Sequence, residues 1–274
     1  MIDLHLHTTA SDGRCSPDEL VDRAAAAGVT IMAVTDHDTT AGIGPTRQAA
    51  RRRHIHVVSG IEITAVDEGH DVHMLGYFVD EAHAPLAAFL SRQRTTRIAR
   101  VEQIAERLAA LGMPIDAEPL IARAREDGGR QVGRPHIAHA MIDAGYVADT
   151  REAFDRWLAS GRPAFVPREG ASPQDVIALV HDAGGKVSLA HPGQTQVDGR
   201  IEHYARAGLD ALELYHPDHD ADSVGRYRDI AARLHLLVTG GSDFHGDASH
   251  GWEPGSVSLP AEDWRRFQDA PRHA

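Results

Sequence analysis

A chain of 274 residues is long enough for one large domain, or a domain with an insertion, to bury a substantial core. Its 40 acidic against 28 basic residues give a formal charge of −12, which excludes a protein that coats duplex nucleic acid through non-specific charge but leaves room for a local basic pocket. The single cysteine, Cys15, excludes an internal disulfide and a cysteine-rich zinc knuckle. No stretch approaches the ~20 apolar residues of a membrane span, and no basic patch precedes an apolar run at the N-terminus, so the chain reads as cytoplasmic. Lys186 is the sole lysine, so arginine richness in any one segment carries little weight.

In chain order, Asp3-Leu4-His5-Leu6-His7 reads as a strand whose alternation projects His5 and His7 to one face while Leu4 and Leu6 pack behind. Ser16-Pro17-Asp18-Glu19 is a capping box with proline at the first helical position, and Gly28 stops the helix expected over 17–27. The apolar run 30–35 ends on Asp36-His37-Asp38, a helix follows over 42–53, and a strand over 55–61 ends at Glu62. The strand 72–78 carries His73.

From residue 85 to about 161 the pattern becomes helical without strands. Apolar residues at helical spacing run from Leu86 to Leu111, with arginines on the other face, and shorter helices are expected at 117–127, 135–144 and 150–159. Alternation then resumes with a helix from Pro173 to Ala183, the strand 186–190 ending at His191-Pro192, and strands at 210–214 and 236–240, the last followed by Asp243-Phe244-His245. Seven buried strands favour a closed α/β barrel, in which the C-terminal strand ends carry the chemistry. The barrel comprises 1–84 and 162–274, interrupted by a helical insertion at 85–161.

His5, His7, Asp12, His37, Glu62, His73, His191, Asp243 and His245 all fall at or just after a strand end. Any one of them alone reads as a hydrogen-bonded histidine or a capping carboxylate, but scattered histidines should fall on helices as often as on strand ends. His54, His56, His83, His139, His181, His203, His235 and His273 do scatter in that way and are assigned no chemistry, while His70, His219 and His250 are undecided, with a surface role favoured. Imidazoles with carboxylates suit Zn, Mn or Fe better than Ca or Mg.

These motifs resemble those of the PHP family, the polymerase and histidinol phosphatase superfamily, over essentially the whole length. The matching residues are His5-Leu6-His7 with Ser11-Asp12-Gly13, Thr35-Asp36-His37-Asp38, Gly60-Ile61-Glu62 with His73, Ala190-His191-Pro192, and Gly241-Ser242-Asp243-Phe244-His245. The resemblance implies a distorted seven-stranded (β/α)7 barrel with two to three divalent ions. His5, His7, Glu62 and Asp243 would hold one ion, Asp12, His37 and His245 a second, and Glu62, His73 and His191 a third, with Glu62 bridging. Asp36 and Asp38 read as residues that orient their neighbours or as structural turn residues, not as ligands, and His216 as either a substrate contact or a structural residue.

The inserted helices followed by Gly133-Arg134-Pro135-His136 look like the subgroup that removes phosphate from nucleoside 3′,5′-bisphosphates, which also includes a 5′-to-3′ exoribonuclease acting on short RNAs. Histidinol-phosphate phosphatases share the metal motifs, and a metal-stabilised accessory module without turnover is the non-enzymatic alternative. Three carboxylates and six neutral imidazoles around three divalent ions leave a net positive site, which suits an anionic phosphate and a metal-bound hydroxide as nucleophile. Arg134 and His136, at the start of a helix over 135–144, are the expected second anchor for a small phosphorylated substrate, a nucleotide or short single-stranded RNA. The alternative for Arg134 is pairing with a barrel carboxylate. Arg97 and Arg100 read as a solvated helix face.

Overall fold

The computed structural model describes residues 1–125, 132–195, 197–246 and 252–272. His250, His273 and the end of the helix expected over 117–127 lie outside these.

Seven strands form one sheet in chain order: β1 (Ile2–Asp3), β2 (Ile31–Val34), β3 (His56–Asp67), β4 (His70–Tyr77), β5 (Lys186–Leu189), β6 (Ala211–Tyr215) and β7 (Leu237–Gly240). The ends meet where the Leu4 N–H donates to Gly240 O (3.2 Å) and Leu6 bridges Phe244 in parallel. This is the distorted seven-stranded α/β barrel that the sequence implies. Gly241 lies at the seam, where an added Cβ would come within 2.3 Å of the His5 amide nitrogen, so a side chain there would push the two ends apart.

Two departures from the expected strands matter for the site. β1 ends at Asp3, and His5 and His7 follow in an extended segment held by that seam rather than within a strand. β3 does not stop at Glu62 but continues to Asp67 and folds back as β4, which is antiparallel to both β3 and β5. Glu68 (φ 49°) and Gly69 (φ 83°) form the turn, both left-handed as a two-residue hairpin requires. Glu62 and His73 therefore lie inside long strands rather than at strand ends. Both reach the rim because the hairpin overshoots it.

Helices α1 (Pro17–Ala26) and α2 (Ile43–Ala50) cover the first strands, and the capping box of Ser16 and Glu19 is present. The helix expected to 53 gives way at Arg51 to a 3₁₀ turn. α3 (Ala84–Ala110) is followed by α4 (Glu118–Arg125), α5 (Arg134–Asp143) and α6 (Thr150–Ala153), and α6 runs into a π-helical turn, Phe154–Leu158. α7 (Pro173–Asp182), α8 (Pro192–Thr195), α9 (Ile201–Arg206), α10 (Ala221–Leu234) and α11 (Ala261–Asp269) return to the barrel. None of the described helices is long and apolar enough to cross a membrane.

α3 belongs to two cores. Leu86 and Leu90 pack with Val176 and Val180 in the barrel cluster, whereas Val101, Ile104 and Leu108 pack with Ile137, Met141 and Leu158 in a second cluster. Between them, Gln93 donates to Thr64 O (3.2 Å) and Arg100 to Val166 O (2.9 Å). Arg97 and Arg100 are thus not a solvated face, being only 14% and 8% exposed. Lys186, wholly buried, donates to the carbonyls of Phe267 and Gln268 in the last turn of α11, where a cation complements the helix dipole.

Asp3 ties the seam to the C-terminal segment. Its buried carboxylate accepts the N–H (2.9 Å) and hydroxyl (2.7 Å) of Ser242 and the N–H of Gly255 (2.7 Å). Asp3→Ala leaves these donors buried without an acceptor and should lower the unfolding free energy by roughly 3 kcal/mol. Urea unfolding measures this, and an unchanged midpoint would show that closure does not depend on Asp3.

Candidate metal centre

The rim of the barrel gathers the nine residues singled out by sequence into one cluster. Glu62, only 1% exposed, is its centre. Its Oε2 lies 3.2 Å from His5 Nε2, 3.3 Å from His7 Nε2 and 3.2 Å from His37 Nδ1. Its Oε1 lies 2.9 Å from His73 Nδ1 and 3.2 Å from His191 Nε2. Asp243 Oδ1 is 3.2 Å from the Nε2 of both His5 and His7. On the other side His245 Nε2 is 3.4 Å and His37 Nε2 3.7 Å from Asp12.

Three sets of ligand-type atoms are close enough to converge on single points: His5, His7, Glu62 and Asp243; His7, Asp12, His37 and His245; and His37, Glu62 and His73. His191 touches the third set through Glu62. Both ring nitrogens of His7, Nδ1 of His37 and of His73, and Oδ1 of Asp243 are buried without a hydrogen-bond partner. Buried polar atoms are nearly always satisfied, so this concentration of unmet ones is what a donor set shaped for cations looks like.

Buried acids position the segments that carry these side chains. Asp36 accepts the Thr8 N–H (2.8 Å) and the hydroxyls of Thr8 and Ser11 (both 2.7 Å), shaping the loop that presents Asp12. Asp38 accepts the Thr64 N–H (3.1 Å) and a guanidinium N–H of Arg97, bracing His37 against the hairpin. The sequence marked both acids as orienting residues, and their bonds are of that kind.

Residues 3–218 match the PHP domain family. The chain belongs to that family. It is 35% identical over 250 residues to the 5′-3′ exoribonuclease Rnm of Escherichia coli, covering 89% of this chain and 84% of that one. To the 3′,5′-nucleoside bisphosphate phosphatase of Chromobacterium violaceum it is 34% identical over 259 residues, covering 93% and 90%. The crystal structure of a Bifidobacterium adolescentis protein provisionally assigned as a metal-dependent phosphoesterase superposes with a TM-score of 0.85 at 34% identity, covering 97% and 94%. This PHP-domain chain is a hydrolase, a metal-dependent phosphoesterase.

In the PHP site, burial opposes charge on Glu62, but His37, His73 and His5 around it hold its pKa well below the ordinary carboxylate range. Burial likewise opposes the His245 imidazolium, and Asp12 and Asp243 outweigh it, raising the pKa to about 10. His37 goes the other way, pushed down to about 3 chiefly by burial.

A cavity of about 900 Å³ opens above the cluster, with Asp12, Asp243, His245 and His216 on the barrel side and Pro135, His136 and Phe154 on the helical side. His136 lines it. Arg134 does not: its guanidinium lies 3.3 Å from Asp71 on β4 and over the rings of Phe154 and Phe165, so the barrel-carboxylate pairing is realised. The amides of His136 and Ile137 already donate to Gly133 O, so the helix start offers an anion less than the sequence led us to expect. His216 Nδ1 accepts the Asp218 N–H (3.1 Å), which puts its proton on Nε2, 3.4 Å from Asp243 Oδ2.

Sequence reading missed Arg168 and Glu213. Arg168, 11% exposed, lies 3.6 Å from Asp71. Glu213 is a charged residue in the middle of an apolar strand run, which is itself a signal of a buried, partnered carboxylate.

The raised pKa of His245 has a consequence for protein stripped of metal by chelation. An imidazole of ~6.5 when unfolded and about 10 when folded adds stability that is complete below pH 6.5 and is lost as pH rises through 10. His5 and His73, also raised, act in the same direction. The urea midpoint of the stripped protein should therefore fall between pH 7 and 10, and His245→Asn should remove part of that slope. A flat profile would contradict the pairing.

Proposed function

We propose that this chain removes the 3′-phosphate of a nucleoside 3′,5′-bisphosphate, yielding nucleoside 5′-monophosphate and phosphate. The carrying observation is one hairpin that bears both Glu62 and His73 of the cluster and the carboxylate that gathers a patch of buried arginines. The bisphosphate phosphatase among the relatives supports the substrate class.

In this reading two to three divalent ions, Mn, Zn or Fe, are held by His5, His7, Glu62 and Asp243, by Asp12, His37 and His245, and by Glu62, His73 and His191. Bound there, they supply an activated water and neutralise phosphate oxygens. The chain's own residues do the rest. Glu62 and Asp243 fix the spacing of the donor set, and His216 holds Asp243 from the cavity side. Residues 85–161 act as a substrate-capping insertion that brings His136 to the cavity and Arg134 to the arginine patch.

That patch contains Arg97, Arg100, Arg134 and Arg168 against the carboxylates Asp38 and Asp71. Four guanidiniums facing two carboxylates leave a net positive region. Burial and the neighbouring Arg97 bring Arg168 down to about 9, and burial with Arg134 brings Arg100 to about 10. A dianionic phosphate would relieve this repulsion, and planar guanidiniums match its oxygens. A second reading, 5′-to-3′ cleavage of short RNA, is favoured by cavity size: about 900 Å³ is near the upper end of small-ligand pockets, which run to roughly 1,000 Å³.

The test is phosphate release from adenosine 3′,5′-bisphosphate, histidinol phosphate and a 5′-phosphorylated short RNA by protein grown with Mn and Zn, together with elemental analysis. Two to three metal ions per chain and turnover of the bisphosphate are expected. Less than one ion per chain would defeat the metal reading, and turnover confined to RNA would shift the assignment to the exonuclease. Asp12→Ala and His245→Ala should each abolish turnover while leaving the fold intact.

Arg134→Ala should cost roughly 1.5–3 kcal/mol of substrate binding, the scale of a hydrogen bond to a charged group, read as a fall of about 10–150-fold in kcat/KM for the bisphosphate, with a smaller loss for the matching monophosphate. An equal loss for both would mean that Arg134 only buttresses the hairpin through Asp71.

A further inference from the structure

Glu213 belongs to none of the three ligand-type sets, yet it touches His5, a member of one, and the backbone of His191, whose ring reaches another through Glu62. It sits in the middle of β6, is 0% exposed, and divides its two oxygens between two chain segments. Oε1 lies 2.9 Å from His5 Nδ1, and Oε2 accepts the backbone N–H of His191 at 2.8 Å.

Each bond fixes something the cluster needs. A carboxylate facing Nδ1 of His5 requires the hydrogen there, which leaves the Nε2 lone pair pointing at the gap between Glu62 Oε2 and Asp243 Oδ1, both 3.2 Å away. The second bond holds His191 where its backbone is strained: φ is 25°, in the left-handed region that a non-glycine residue disfavours, immediately before Pro192. Such strain persists only when neighbouring bonds over-determine it. We propose that Glu213 is a positioning residue that sets the tautomer of His5 and the backbone of His191, and so presents both imidazoles to divalent cations.

This inference rests on the metal reading above. The molecule also contains a natural comparison. Asp210, just ahead of β6, joins an imidazole and a backbone amide away from the cluster, though through one oxygen: its Oδ2 meets both His181 Nε2 (2.9 Å) and the Val187 N–H (2.8 Å). If a carboxylate with these partners served only to stabilise the barrel, Asp210 and Glu213 would behave alike. Glutamine at 213 keeps the shape but has one carbonyl oxygen for two donors, so its amide N–H₂ must face one of them.

The experiment is Mn²⁺ titration by calorimetry of chelator-stripped wild-type protein, Glu213→Gln and Asp210→Asn, with thermal unfolding of each stripped protein. Glu213→Gln should weaken Mn²⁺ binding about 10–100-fold, the usual effect of losing a partner of a ligating histidine. Asp210→Asn should lower the melting temperature and keep wild-type Mn²⁺ affinity. Wild-type affinity in Glu213→Gln, or an equal loss in Asp210→Asn, overturns the assignment. Glu213→Asp, which keeps the charge but draws the carboxylate back by one methylene, is the second variant should the glutamine protein fail to fold: weakened Mn²⁺ binding supports the assignment and unchanged binding overturns it. If wild-type protein takes up neither Mn²⁺ nor, in a parallel titration, Zn²⁺ or Fe²⁺, the metal reading fails and this inference with it. If the wild type binds and the variants equal it, only this inference fails.

Discussion

Everything at the rim answers to one buried carboxylate. Glu62 sits with five imidazole nitrogens within 3.3 Å, supplied by four separate stretches of chain. An ionised carboxylate taken out of water costs several kcal/mol unless opposite charge or hydrogen-bond donors surround it. The barrel therefore has to close accurately enough to bring His5, His7, His37, His73 and His191 to the same oxygens. The seam between Leu4 and Gly240, with no side chain at Gly241, makes this possible. The most polar part of the interior is thus also the part most demanding of its geometry.

The histidine and acid pattern was legible because strand ends are where the chain can turn polar without breaking the core. His5, His37, Asp243 and His245 stand there, and the barrel and its seven strands follow from the apolar runs that precede them. The turn at Glu68 and Gly69 was harder to see, since the residues beyond Glu62 still alternate in a way that fits either a strand end or a continuing ribbon. The inward arginines carried a signal that composition obscured. Leu90, Gln93, Arg97, Val101, Ile104 and Leu108 recur at helical spacing, so Arg97 lies on the buried stripe of α3 and not opposite it. What a sequence alone cannot supply is the partner, because Asp38 and Asp71 become neighbours of these arginines only when α3 docks on the hairpin.

Part of the backbone strain falls at the same places. Of the described non-glycine residues with positive φ, Asp38, His191 and Asp243 (49°, 25° and 51°) adjoin or belong to the cluster, while His54, Glu68, Phe78 and His235 lie elsewhere in turns and at element ends. Conformations of this kind cost about 1–3 kcal/mol each and need local bonds to hold them. The Asp38 N–H donates to Glu62 O (2.8 Å), the His191 N–H to Glu213, and Ser242, next to Asp243, is held by Asp3. Beneath the ligand-type side chains lies a layer of buried acids, Asp3, Asp36, Asp38 and Glu213, each accepting at least one backbone N–H of a rim segment and a side-chain donor besides. Asp36 and Asp38 stand out because they flank His37, whereas the supporting roles of Asp3 and Glu213 are not marked by motif spacing; together these acids hold the segments from which the imidazoles project.

The overshooting hairpin links this centre to the helical segment. On β3, Glu62 faces the cluster and Thr64, two residues further along the same face, accepts from Arg97 (3.0 Å). On β4, His73 faces the cluster and Asp71, two residues away, gathers Arg134 and Arg168. The separation between the cluster and the arginine patch is therefore set by the pleat of two paired strands, at about 7 Å for a two-residue step, and not by loops or a lid. α3 reinforces it, because one helix is packed into the barrel core at Leu90 and into the second core at Ile104. On the proposed reading, a substrate with anionic groups at two ends would span a distance fixed by these strands, so selection between one and two phosphates would arise from spacing already in place before anything binds.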